Sequence, residues 1–562
     1  MMLSMKRIGS LLLALVLCVS MAACGRKEEG NGSSSGASSA PSGSGAPSQK
    51  LEGTVAKINL GADPKTLDPS LNSASDGNNV ITNTFEGLLR DFGNGPEPAT
   101  AEHYAVSDDG LTWTFTLREG AKWSDGQPVR AQDYVFSWRR TVDPKTASEY
   151  AYFLYPIQNA QEITKGEKPA EELGVRALDE RTLEVTLAGP CDYFEELVCF
   201  PTLAPEREDV VDESGLWAKD PKKAVSNGPF YLTDYKLGSH LVLSKNPYYW
   251  DAENTKLDHV LCRMIVDAST ILTSFKAGEI QWTDKAPTEE IPGLIASGEL
   301  EVLPYISTYF YVINQNTPIE ALKDVRVRKA ISMAIDRQAI CDMVTRGGQT
   351  PAMGYIPPGL TDDQGRDFRE TAGDYYLAPT AQAAQAQALL AEAGYPNGEG
   401  IGTLEILYNT DDKHKAIAEA VQEMLKQNLG LSVKLVNQEW AVFQDTRNSG
   451  NYQALARHGW TGDYRDPQTF LDMFMTVGGA PNPQSGNMYQ NEAFDALMEK
   501  ALASTGAERY DAFYQAEELL MEDGYIIPIQ YNVQTVLSSP KLTGWYLSSI
   551  GKLYLGRAQL EE

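Results

Sequence analysis

The residue types able to do covalent or metal chemistry are present in this sequence, but never at working spacing. The five histidines, His103, His240, His259, His414 and His458, show no metal-ligand spacing. No HExxH, Walker loop or glycine fingerprint of a dinucleotide site occurs, so no metal and no cofactor is expected. Gly32-Ser33-Ser34-Ser35-Gly36 fits the GxSxG pattern. A nucleophile elbow needs a strand before it and a helix after it, and a Gly/Ser tract supplies neither. Cys191, Cys199, Cys262 and Cys341 lie outside any CxxC and leave three pairings open beside four free thiols. What remains is charge. Asp466-Pro467 can supply an N-cap and a first-turn proline for a helix over 468–475, which leaves nearby Asp463 without a local task. A carboxylate so freed can meet a cation, and a buried one needs to, since an unpaired buried charge costs several kcal/mol. The pattern points to binding and away from an enzyme.

The elements that position these groups read as mixed α/β. Leu111, Trp113, Phe115 and Leu117 alternate with polar residues, as a half-buried strand does. Thr380 is placed to cap an alanine-rich helix running to Ala393, with Gly394 at its end and Pro396 blocking continuation. A second helix is expected over 414–428, closed by Gly430, and residues 431–435 then alternate as a strand. Helix followed by strand, repeated, indicates sheets covered by helices.

The first 23 residues have the form of a secretory signal: Lys6 and Arg7, a short apolar run, then Met21-Ala22-Ala23-Cys24. The apolar run is too short to span a bilayer. Met21 to Cys24 resembles a bacterial lipobox, with methionine where leucine is usual, so Cys24 is expected to be acylated. The Gly/Ser/Ala/Pro tract that follows, to about residue 50, cannot build a core and reads as a flexible tether. The net charge of −28 argues against nucleic acid and anionic lipid heads as partners.

From Asn59 onward a series of landmarks occurs in one order. They are Thr66-Leu67-Asp68-Pro69, Phe85-Glu86-Gly87-Leu88, the run from Ala121 through Ser124-Asp125-Gly126 to Trp138, and Asp143-Pro144 with Thr146-Ala147-Ser148. Val225-Ser226-Asn227-Gly228, Asp324-Val325-Arg326-Val327-Arg328, Ala391-Glu392-Ala393-Gly394-Tyr395 and Tyr408-Asn409-Thr410 come next. Gly459-Trp460-Thr461-Gly462-Asp463-Tyr464 closes the series. In this the chain resembles the extracytoplasmic oligopeptide-binding proteins of ABC importers.

The resemblance implies a bilobal α/β, periplasmic-binding-protein-like fold with one inserted domain and a hinge between lobes. The first lobe would take 51–85, 210–306 and 534–562, the insert 86–209, and the other lobe 307–533. It also implies a peptide ligand whose α-ammonium meets Asp463 of the Trp-x-x-Asp motif. Backbone pairing with the peptide would fall at Ser73 to Ser75 and, from another strand, at Tyr305 and Ser307. Tyr150 and Trp460 match aromatic positions around the ligand, and Asn227 lies in a shared motif. Arg457, Arg447, Arg346 and His414 fall near positions that meet peptide carboxylates. Some members bridge by a disulfide the positions that are Ser307 and Thr461 here, and some carry a basic residue where Thr82 stands. Delivery to a membrane permease, a monomeric state, and a location outside the cytoplasm on a lipid anchor are further implications. The same fold could hold another solute (a glycan fragment, a chelated metal or haem) or serve as a peptide sensor without transport.

Overall fold

The computed structural model describes residues 50–561, apart from Asn94, 477–478 and the side chain of Ala441. The signal segment, Cys24 and the tether lie outside the described residues.

Among the described residues a mixed sheet of eleven strands organises the chain, ten in one row and the short Thr350–Pro351 paired beside it with Ile526–Ser538. At one end Ser432–Gln438, Thr403–Asn409 and Leu455–Thr461 lie side by side, all three parallel. Then come the long strands Leu300–Ile313 and Ile526–Ser538, antiparallel to each other. The other end carries Trp282–Thr283, Val55–Asn59, His259–Arg263, His240–Lys245 and Phe230–Lys236. A separate four-stranded antiparallel sheet holds Ala101–Val106, Thr112–Leu117, Thr182–Thr186 and Val175–Ala177. Within it Trp113, Phe115 and Leu117 are buried and the threonines half-buried, the alternation that the sequence predicts.

Two large apolar cores flank this framework, one built mainly from residues 56–264 with the C-terminal segment, the other from 306–529. The strand Leu300–Ile313 passes between them. Leu303 packs on the first core and Ile306 belongs to the second. Its pairing with Ile526–Ser538 breaks between Pro304 and Thr308, so Tyr305 to Ser307 are released from that ladder where the strand changes cores.

Local signals explain the helices near the site. Asp412–Leu429 starts where the Asp411 carboxylate accepts from the His414 N–H at 3.0 Å. It stops at Gly430, whose φ of 70° a side chain would resist. Ile417, Val421 and Leu425 recur at helical spacing and are fully buried, each contributing about 1.5–3 kcal/mol. The alanine-rich helix runs Ala383–Glu392 with Gln382 before it, so Thr380 is not its cap.

Candidate functional site

Asp463 sits just past the strand Leu455–Thr461. The strand ends in close packing: the Gly462 N–H donates to the Ile306 carbonyl at 2.9 Å, and a Cβ there would meet Ile306 at 3.1 Å and Phe470 at 3.3 Å. The Asp463 N–H donates to Thr469 Oγ1 at 3.0 Å, and the carboxylate accepts from the Tyr152 hydroxyl at 2.7 Å. Among the described residues no Lys, Arg or His nitrogen lies within 4.0 Å of it. Burial pushes its carboxyl up to about 6, against the opposing effects of Tyr152 and Lys552. Two neighbouring aspartates differ. Asp466 makes two bonds to Arg509, at 2.7 and 2.8 Å, and caps the Gln468 N–H at 2.9 Å. Asp472 is pushed up to about 8, first by burial and then by Asp463 and Asp466. The helix expected over 468–475 is an α-turn, Gln468–Leu471, continued by a 3-10 turn, Asp472–Phe474.

Aromatic rings surround the Asp463 carboxylate. Tyr150 lies edge-on to Tyr152, Phe153 and Phe200, and Phe153 packs on Phe200 at 4.0 Å. Beyond them opens a small cavity lined in part by Asp463, Lys552, Arg465, Glu196 and Asp91. Neither Tyr152 nor Lys552 stood out in the sequence. Tyr152 could have been found as the second tyrosine of Tyr150-Ala151-Tyr152, whereas Lys552 carries no local signal.

The expected pairing segments are partly strand-like. Ser307 is in register with Thr461, and the Thr461 hydroxyl lies 3.1 Å from Ser307 Oγ and 3.2 Å from the Tyr305 hydroxyl. A hydrogen bond thus joins the two positions for which the resemblance raised a disulfide. Asn532 also donates to Ser307 Oγ, at 2.9 Å. On the other expected segment Ala74 is extended, Ser73 Oγ donates to Glu149 at 2.5 Å and the Tyr150 hydroxyl reaches the Ser73 carbonyl at 3.4 Å. Ser75 differs from expectation: it opens the helix Ser75–Thr84, so its backbone is helical and cannot extend a ladder.

Six residues before Asp463 on the same stretch begins a group of cations. Arg457 lies over the Tyr309 ring at 5.3 Å, with its Nε buried and without a hydrogen-bond partner. His414 packs on the same ring at 5.5 Å, and its Nδ1 is likewise unpartnered. Burial, reinforced by Arg457, pushes His414 down to about 3. Arg447 is 7% exposed, bonds only to Asn448 Oδ1 at 3.0 and 3.1 Å, and is pushed down to about 10 by burial and by Arg457. Lys413, not foreseen, is pushed down for the same reasons. Among the described residues Arg447, Arg457 and Lys413 have no carboxylate within 4.0 Å. Between this group and Asp463 stands Trp460, half-buried, with its indole N–H unpartnered.

Two expected residues do not join the site. Arg346 is exposed, in a left-handed turn after Thr345, and has no hydrogen bond or ion pair to the cation group among the described residues. Asn227 is 3% exposed, and its carboxamide is spent inside the chain: it accepts from the Glu86 N–H at 3.0 Å and donates to the Glu86 carbonyl at 2.8 Å. The carboxamide thus clamps the backbone of Glu86. Cys191, Cys199, Cys262 and Cys341 are all free thiols.

Comparison with known proteins places this geometry. The family model of bacterial extracellular solute-binding proteins, family 5, matches residues 95–482. The chain is 35% identical over 514 residues to the oligopeptide-binding protein OppA of Bacillus subtilis, covering 90% of this chain and 92% of that one. It is 38% identical over 499 residues to the periplasmic OppA of Escherichia coli, covering 87% and 89%. Among solved structures, Listeria monocytogenes OppA bound to peptide superposes with a TM-score of 0.76 at 30% identity, covering 91% of this chain and 99% of that one.

Proposed function

The chain belongs to the bacterial extracellular solute-binding proteins of family 5, and from that premise we propose that it captures peptides in a cleft and passes them to an ABC permease. The carrying observation is a pair of opposite, unmet charges on one stretch of chain. Among the described residues Asp463 is half-buried with a single hydroxyl donor to its carboxylate, and Arg457, Arg447 and Lys413 are partly or fully buried with no carboxylate within 4.0 Å. From Arg457 to Asp463 an extended chain covers about 20 Å, roughly the length of a penta- or hexapeptide. A zwitterionic extended chain answers both ends. Its ammonium meets Asp463 and its carboxylate meets the cation group, while backbone amides pair along the strand edge regardless of side chain. A sugar would need neither charge.

The finer parts of the reading are these. The lobes at 51–85, 210–306 and 534–562, and at 307–533, close on the ligand, with 86–209 inserted. The strand break at 305–307 serves the hinge. Acylation of Cys24 holds a monomer outside the cytoplasm, on the membrane face where the permease lies. Binding, with no catalysis, is its task. Mass spectrometry of ligand released by denaturing the purified protein tests the reading. Peptides of a few residues are the expected result, and a glycan, haem or chelated metal as the retained solute would overturn it.

A further inference from the structure

The cavity beside Asp463 holds a second charge that the ammonium contact does not use. Lys552 is 6% exposed, and its Nζ rests 3.2 Å from the centre of the Phe200 ring. Among the described residues that nitrogen has no hydrogen-bond acceptor and no carboxylate within 4.0 Å. Lys552 and Asp463 line the same small cavity.

The charges around this space can be set against one another. Arg465 is held by Glu196 at 2.6 Å and by Asp91 at 2.7 Å. Those three groups carry one excess negative charge and Asp463 a second, and Lys552, which feels Asp463 first and Glu196 less, offsets one of the two. One negative charge is left without compensation, and an α-ammonium at Asp463 balances it. The occupied cavity is neutral as it stands.

A peptide anchored at Asp463 has its first side chain on the same α-carbon as the ammonium, about 2.5 Å away. That side chain must enter or border the cavity. From the charge balance we infer that Lys552 makes this site accept peptides with an uncharged first side chain and reject those with a basic one. A second ammonium or guanidinium would be desolvated beside Lys552 with no carboxylate left to meet it, and such repulsion is far stronger in a buried space than in water. Without Lys552 the excess charges of Asp463 and of the Glu196–Arg465–Asp91 group would both be open, and a ligand end bearing two cations would be favoured. The inference rests on the peptide reading.

Burial pushes Lys552 down to about 7, so the assay belongs at pH 6.5, where the side chain carries its charge. Calorimetry would compare Met-Ala-Ala-Ala with Lys-Ala-Ala-Ala, whose first side chains have similar length. The wild type should bind the Met-first peptide at least about tenfold more tightly. Lys552→Met and Lys552→Gln should each shrink that ratio at least about tenfold, or invert it. A merely structural loss would weaken both peptides alike and leave the ratio where it was. Equal affinities in the wild type, or an unchanged ratio in the variants, overturn this inference and leave the peptide reading standing. Failure of both peptides to bind any form of the protein would overturn both.

Discussion

Burial raises the Asp463 carboxyl from 3.8 to about 6 because water is withdrawn and only one hydroxyl replaces it. The sign of the consequence follows from linkage. A carboxyl whose folded value lies above its unfolded one adds stability below pH 3.8, and that stability is lost as pH rises through 6. At pH 7 the empty protein therefore carries a destabilising charge. Asp463→Asn should stabilise the ligand-free protein by ~1–3 kcal/mol at pH 7, and the gain should vanish at ~pH 3, below both the folded and the unfolded value. Thermal denaturation of the two proteins at both pH values checks this, and equal stability at pH 7 would contradict it. Asp463 was legible in the sequence because its motif pairs it with Trp460 and because Asp466 takes the capping role. Its partner Tyr152 lies 311 residues away, and nothing in local spacing could connect them. Asn227 misleads for the opposite reason: a shared motif marks it, but its carboxamide serves the backbone of Glu86.

The turn that follows Asp463 shows how an element is fixed by more than its cap. Asp466-Pro467 reads as an N-cap signal, and on that signal alone Asp466→Asn would be harmless, since asparagine also caps well. The structure adds Arg509, whose guanidinium grips Asp466 at 2.7 and 2.8 Å with both side chains at most 4% exposed. Asparagine would keep the cap and leave a buried guanidinium short of its counter-charge. Asp466→Asn should therefore destabilise the protein by ~3–5 kcal/mol, measured by urea unfolding. A change below ~1 kcal/mol would show that the pair contributes little. Strands and helices whose burial face repeats along the chain, such as Thr112–Leu117 and Asp412–Leu429, were readable from periodicity alone. The break at 305–307 was not, because it arises where one strand leaves the first core for the second. The helical start at Ser75 was missed because Ala74, the residue before it, offers no capping side chain.

Across the whole molecule, contacts join residues of the proposed insert to the segment that carries Asp463. Arg465 bonds Glu196, Gln468 bonds Tyr193 at 2.8 Å, and Tyr193 stacks on Tyr464 at 4.6 Å. These contacts hold Tyr152 against Asp463, so on the proposed reading they belong to the closed state that ligand favours. The order of landmarks in the sequence was enough to foresee the architecture. It did not disclose Lys552, which the C-terminal segment brings to the cavity. Calorimetry with a free and an N-acetylated pentapeptide, on wild type and Asp463→Asn, addresses the ammonium contact on which the account turns. Either change alone should cost ~3–5 kcal/mol, the usual loss when one partner of a buried pair is left alone. Made together they should cost little more, with a coupling of at least ~1 kcal/mol. If Asp463→Asn binds free and acetylated peptide as the wild type does, the ammonium is held elsewhere and the account is wrong.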